Sequence, residues 1–193
     1  MFTFLTIWST WLLATGSIYQ APPAAFPDVP TITETSVGQA RIGMSTAQLK
    51  KLYKGCAFSP TSMAAYGFDE HESKPSGVTV SYAGKKLFVY FPDWKTKKQL
   101  AGLIALHPAY RTAKGIHVNS TSGQLKAALP GVVVVPNMMD ANLEVAFSGS
   151  VEKPGIQYVF YKQGNVGNYV VADTPVKISV SNAKITWIQV YPH

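Results

Sequence analysis

Four groups of side chains in this chain have the right types for chemistry. Asp69-Glu70-His71-Glu72 sets three carboxyl groups and an imidazole in consecutive positions, all of them able to bind a metal ion. Consecutive residues rarely converge on one ion, and no HExxH or paired Cys/His spacing accompanies them, so the run reads as a solvated loop. Cys56 is the single cysteine, which excludes an intramolecular disulfide. It follows a predicted helix, no nucleophile motif surrounds it, and it reads as a small core residue. His107 stands before Pro108 at a predicted strand end. His117 holds the register that Arg41 holds ahead of the first helix, a solvent-facing basic position. Gly164-Asn165-Val166-Gly167-Asn168 is glycine-rich but does not join a strand to a helix, so it is a loop and not a phosphate cradle. The sequence contains no G-x-S-x-G, Walker or dinucleotide motif. These readings predict no catalytic residue, metal ligand or cofactor. The alternatives are a metal-dependent enzyme using the 69–72 run or Cys56, and a small-ligand carrier.

The aromatic side chains point to recognition. Alternation sends neighbouring strand residues to opposite faces. If Leu87, Val89 and Phe91 pack under a helix, Phe88 and Tyr90 face the other way. Tyr161, Trp187, Gln189 and Tyr191 fall on the same expected open face. Phe88, Tyr90, Tyr161, Trp187, Gln189 and Tyr191 are therefore the partner-binding candidates, because Tyr and Trp dominate such patches. The competing reading makes these rings a second core layer.

Two capping boxes position everything else. Ser45-Thr46-Ala47-Gln48 and Thr121-Ser122-Gly123-Gln124 each match Ser/Thr-x-x-Gln, in which two orphan N–H groups are satisfied reciprocally. Leu49, Leu52 and Tyr53 follow the first at helical spacing, and Leu125, Ala128 and Leu129 follow the second. Gly55 and Pro130-Gly131 stop helices predicted over 46–54 and 122–129. Alternating runs at 78–82 and 86–91 flank Ala83-Gly84-Lys85 and predict a hairpin, and 100–108 adds a strand stopped by proline. After the second box, 132–135, 143–147, 156–161 and 185–192 read as strands, with 176–180 as an extra edge strand. The expected architecture is α+β. Two tandem helix-plus-antiparallel-meander repeats, 34–108 and 109–193, form one layered body with the helices on one face of the sheet.

Ahead of the repeats, residues 2–19 are apolar and uncharged, and 20–33 is a Pro-rich linker. The apolar stretch is expected to be a cleaved signal peptide or an uncleaved anchor, which puts the body in the periplasm or outside the cell. The 193-residue chain is 47% hydrophobic and 14% charged, with a formal net charge of +7. Its lysines are spread along the sequence, so nucleic acid is not an expected partner. Their densest run, Trp94-Lys95-Thr96-Lys97-Lys98, reads as a loop. Membrane contact is expected only through an uncleaved N-terminal segment.

Ile42-Gly43-Met44-Ser45, leading into a capped helix and a meander, resembles the BamE/SmpA-like superfamily of periplasmic lipoproteins. Two such units in tandem resemble the β-lactamase inhibitor protein (BLIP-like) fold. The resemblance covers about residues 34–193 and implies fold more than function. Asn119-Ser120 replaces Gly-Met in the second unit, and the lipidated N-terminal cysteine and the inhibitor's cysteine pairs are absent. No binding residue is carried over. The expected function is that of an exported, non-enzymatic protein that binds another protein or scaffolds the cell envelope.

Overall fold

A computed structural model describes residues 26, 28–68, 76–93, 95–96, 98–150, 155–171 and 174–190. The apolar stretch 1–19, the acidic run Asp69 to Glu72 and Tyr191 lie outside the described residues.

Both capping boxes form. Helix α1 (Thr46–Leu52) starts at Ser45, whose Oγ accepts from the Gln48 amide at 3.2 Å while Gln48 Oε1 accepts from the Ser45 amide at 2.9 Å. Helix α2 (Ser122–Ala128) repeats this with Thr121 and Gln124 at 3.2 and 2.8 Å. Each helix buries a leucine at its centre, Leu49 or Leu125. Each N-cap also bridges a later segment, Ser45 to Gln99 and Thr121 to Lys184.

The first small strands are β1 (Thr31–Thr33), β2 (Ser36–Val37) and β3 (Ala40–Arg41). After α1 come β4 (Ala57–Thr61), β5 (Gly77–Tyr82), β6 (Lys85–Pro92), β7 (Leu100–Ala105) and β8 (Arg111–Thr112). After α2 come β9 (Val133–Pro136), β10 (Leu143–Phe147), β11 (Ile156–Tyr161), β12 (Val176–Lys177) and β13 (Trp187–Val190). The β5–β6 hairpin turns on Ala83 and Gly84, both at positive φ, the tight turn that matches strand twist.

The strands build two sheets. One has four strands in the order β3-β2-β1-β8, and the other has nine in the order β12-β9-β10-β11-β13-β7-β6-β5-β4. All pairings in the large sheet are antiparallel, and its two sets of strands join where β13 pairs with β7, Gln189 opposite Ile104. Its outer strands are poor templates for further pairing: β4 carries Pro60 and β12 has two residues.

The expected α+β architecture is corrected. Strand accounts for 42% and helix for 11%, so the protein is mostly β. The helices have seven residues each and do not form a layer. The four-stranded sheet shares their side of the large sheet and takes strands from both sides of residue 108, since β1 runs parallel to β8. The physical reason is that Ile32, Val37 and Ala40, which sequence reading assigned to linker and lead-in, bury completely in the main core. Thr31–Thr33 is accordingly strand and not linker.

Two apolar layers sandwich the large sheet. Leu49, Leu125, Phe88, Leu103, Phe160 and Ile188 belong to the layer on the helix side, and Val89, Ile104, Val159 and Trp187 to the layer on the other. Cys56 packs against the first layer, and burial, then the Asp28 charge, push its thiol up, which disfavours a reactive thiolate.

Two carboxylates fix the connections. Asp28 accepts from the hydroxyls of Tyr53 and of Tyr110 (2.7 Å) and from the Gln39 amide (3.0 Å). Gly38 lies against this carboxylate at φ +60, where a Cβ would collide with it. Glu144, buried on β10, accepts from the amides of Val166 (2.8 Å) and Gly167 (3.2 Å) and from the Tyr169 hydroxyl (2.5 Å). Burial first, and then the facing carboxylate, raise the phenols of Tyr53 and Tyr169 far above their ordinary value, so both remain donors.

Replacing Glu144 by Gln presents an NH₂ group to donors that need an acceptor. Glu144→Gln is expected to lower unfolding free energy by about 1–3 kcal/mol in a urea titration and to expose the Val166 and Gly167 amides to hydrogen exchange. An unchanged midpoint would show that the carboxylate does not anchor this loop. His107 supplies a pH test. Its ring stacks on Phe26 at 5.1 Å and its Nδ1 accepts from the Ala109 amide at 3.2 Å. Burial, then Lys85, hold it below its ordinary value of 6.5. The unfolded chain therefore takes the proton first. The contribution of His107 is present above that value and is lost as pH falls towards the depressed folded one. His107→Phe is expected to flatten the fall in Tm as pH drops below neutrality.

Candidate interaction face

The face of the large sheet away from the helices is the candidate site. It begins as a row of β-sheet side chains: Val89 on β6, Ile104 on β7, Trp187 on β13, Val159 on β11 and Leu143 on β10. A strap of chain covers their middle. After β4 the chain passes through Met63, a 3-10 turn over Ala64–Tyr66, Gly67 and Phe68. The turn is closed by Tyr66 N–H to Met63 O (2.9 Å) and Gly67 N–H to Ala64 O (3.1 Å). Gly67 adopts φ +81, the left-handed conformation that glycine takes without strain.

Rings lock the strap down. Tyr66 meets Trp187 edge-on at 5.3 Å, and Phe68 meets Phe91 at 5.1 Å. Phe91 in turn lies over Gly102, where a side chain would collide with it. At its far end the strap lies on β10 and the following turn: a Cβ on Gly67 would come within 2.8 Å of Leu143 Cδ1 and 3.2 Å of Asn137 Nδ2. The strap thus starts on an edge strand and reaches six strands across the sheet to β10. Burial raises the Tyr66 phenol, which stays protonated.

Of the six candidates, Trp187 and Gln189 are buried in this second layer and Tyr161 is half-buried at its rim, 5.8 Å from Trp187. Trp187 Nε1–H donates to Gln189 Oε1 at 3.3 Å, and Gln189 Nε2–H donates to Gln157 Oε1 at 2.7 Å, so these amides satisfy one another within the sheet. Phe88 and Tyr90 are corrected: they point to the helix side and are 0% and 3% exposed. Phe88 packs on Tyr53 at 5.0 Å. The cause is a bulge. Val80 pairs with Phe88 but Ser81 pairs with Lys86, so Leu87 is an extra residue and both Leu87 and Phe88 turn inward. One inserted residue reverses every later assignment on the strand. Val89 and Phe91 therefore face the strap. The expected open face is covered across its middle.

What remains accessible lies around the strap. Tyr66, Phe68, Phe91, Leu106, Val145 and Tyr161 are half-buried. Beside them, the β9–β10 turn exposes Met138 and Met139, 72% and 67% exposed. Asn137, which touches the strap, shapes that turn by accepting the Met139 amide at 2.8 Å and the Asp140 amide at 3.0 Å. Lys162 caps the Tyr161 ring at 5.1 Å. Sequence reading missed the strap, although the apolar run Met63-Ala64-Ala65-Tyr66-Gly67-Phe68 inside a polar loop was a usable signal. Among the described residues no three or more His, Cys, Asp or Glu side chains gather as a metal site. The chain matches no family model, no curated protein and no solved structure.

The strap's attachment can be measured. Gly67→Ala puts a Cβ at positive φ and against Leu143, and is expected to cost about 1–3 kcal/mol in urea unfolding. Tyr66→Ala removes the contact to Trp187. Because both act by lifting the same strap, the double variant is expected to lose clearly less than the sum of the two losses. Strict additivity would mean that the two contacts are independent.

Proposed function

We propose that this is an exported, non-enzymatic protein that binds a protein partner of the cell envelope at the strap and its rim. The observation that carries this reading is the pair Met138 and Met139, exposed on the turn whose Asn137 lies against Gly67 of the strap, which is itself rimmed by half-buried apolar side chains. Unbranched thioethers adapt to an opposing surface, and anchored aromatic rings give up little entropy on contact. Tyr161 and Trp187, from the original candidates, remain in the proposed site, Trp187 as the support under Tyr66. Export rests on the uncharged apolar stretch at 2–19. The non-enzymatic reading is supported by Cys56 and His107, whose side chains are used in packing. A relation to the BamE/SmpA-like superfamily, carried by Ile42-Gly43-Met44-Ser45 before a capped helix, is part of the same proposal.

A photo-crosslinking amino acid at position 139 or 161, in the full chain in its native envelope, is expected to give a discrete adduct. Position 184, exposed between the buried Ala183 and Ile185 ahead of β13, is expected to give none. Met138→Glu with Met139→Glu should abolish the adduct from position 161 without lowering Tm by more than a degree or two, because both side chains are exposed. Equal adducts from 161 and 184, or an adduct indifferent to the two glutamates, would overturn this site.

A further inference from the structure

On the opposite side of the molecule the outer face of the four-stranded sheet lies between two open grooves. One, of about 400 Å³, runs between this sheet and α1 and is lined by Thr31, Thr33, Gln39 and Arg41 together with the apolar Val29, Met44 and Leu52. The other, of about 490 Å³, runs between the sheet's far edge and α2 and is lined by Arg111, Lys114, His117, Ser120 and Gln124. The two adjoin at one point, where Thr31 of the first is the register partner of Arg111 in the second. Arg41 and Arg111 stand on the two outermost strands, with β2 and β1 between them, a lateral separation of about 14 Å at the usual strand spacing.

The surface between the arginines is lined with hydroxyls. Alternation buries Ile32 and Val37 and turns Thr31 and Thr33 outward, while Ser36, only 7% exposed, backs Thr33 through a hydrogen bond at 2.6 Å. Of the two carboxylates nearby, Asp28 is already engaged and Glu34 is exposed in the β1–β2 turn. Asp28 lies under Gly38 with its oxygens held by Tyr53, Tyr110 and the Gln39 amide, and Glu34 lies against Gly155. These cations are far apart in the sequence, and only the β1–β8 pairing gathers them.

We propose that these joined grooves bind a linear acidic polysaccharide. Guanidinium and ammonium groups meet its carboxylates or sulfates, and the Thr, Ser and Gln side chains meet its ring hydroxyls. The chemistry follows from the mixture. A duplex backbone would call for a denser row of cations, whereas two arginines spaced across a floor of hydroxyls suit a chain whose charges alternate with neutral hydroxyl-bearing stretches. Both guanidinium groups are rigid forks able to take an acidic group through two parallel hydrogen bonds, Arg111 while its Nη1 also donates to the Gly115 carbonyl at 3.4 Å. A protein carrying both surfaces would hold an envelope partner on one side and an envelope glycan on the other.

The test uses the full chain and fluorescent oligosaccharides of polygalacturonate (carboxylate) and heparin (sulfate), with neutral dextran and a duplex DNA oligonucleotide as comparisons. At least one acidic glycan is expected to bind, with affinity falling as salt rises, and dextran is expected not to bind. Arg41→Ala, Arg111→Ala and Lys114→Ala together are expected to weaken binding about tenfold or more. Lys95→Ala, Lys162→Ala and Lys177→Ala together, the same change of charge away from both grooves, should weaken it about twofold or less. If the first triple fails to fold, Arg41→Lys with Arg111→Lys keeps the charge, removes the forks and is expected to weaken binding about threefold or more. Equal losses in the two alanine triples, failure of both acidic glycans to bind, or equally tight groove-dependent binding of the duplex would each overturn the proposal.

Discussion

The structure depends on one half-buried carboxylate whose oxygens are occupied by the protein's own donors. Asp28 collects two phenol hydroxyls and a backbone amide from three separate places: Tyr53 at the end of α1, Tyr110 ahead of β8, and Gln39 in the turn between β2 and β3. Hydrogen bonds to an ionised acceptor contribute about 1.5–3 kcal/mol each. Three of them on one group hold the start of the body, the first helix and the crossing to the second set of strands in register. Tyr110 also packs edge-on with Phe26 at 5.1 Å, so the N-terminal side of Asp28 is tied to the same ring. The parallel pairing of β1 with β8 follows, because both strands leave this knot in the same direction. The floor between the two basic grooves is therefore built by a group that never reaches it.

Glu144 does the equivalent work at the other end of the large sheet, and by the same chemistry: neutral donors and a phenol held protonated. Neither anchor draws on a cation among these partners. Arg41, Arg111 and Lys114 are exposed, and so are Lys50 and Lys51 on α1. These exposed cations contribute to the formal net charge of +7 and can act on a partner.

The parts of this fold that were legible in the sequence are those set by neighbours in the chain. Ser45 and Gln48, or Thr121 and Gln124, make their hydrogen bonds across three residues, so the capping boxes could be read directly. The Ala83-Gly84 turn and most strand runs were legible for the same reason. What was not legible depended on distant partners. The bulge at Leu87 is invisible to alternation, because the strand still reads as apolar on both sides, and it reversed the faces of Phe88 and Tyr90. The small sheet needed β8 to be known as the partner of β1, some eighty residues earlier, and without it the helices were given too large a share of the fold. Tyr161 and Trp187 were placed together from pattern alone, but Tyr66 and Phe68 above them belong to a segment with no period at all.

The seam between β7 and β13 has a consequence for how the protein is made. The strand latest in the chain among those described sits fifth in a row of nine, with β11 on one side and β7 on the other. Until β13 has left the ribosome and reached its place, β7 offers Leu103, Ile104 and Ala105 along an unpaired edge, and β11 does the same with Tyr158 and Val159. Half-built sheets with free apolar borders are the species that aggregate. This architecture cannot be completed vectorially from its N-terminal side. In a newly made chain the two borders stay open until this late strand closes the gap between them.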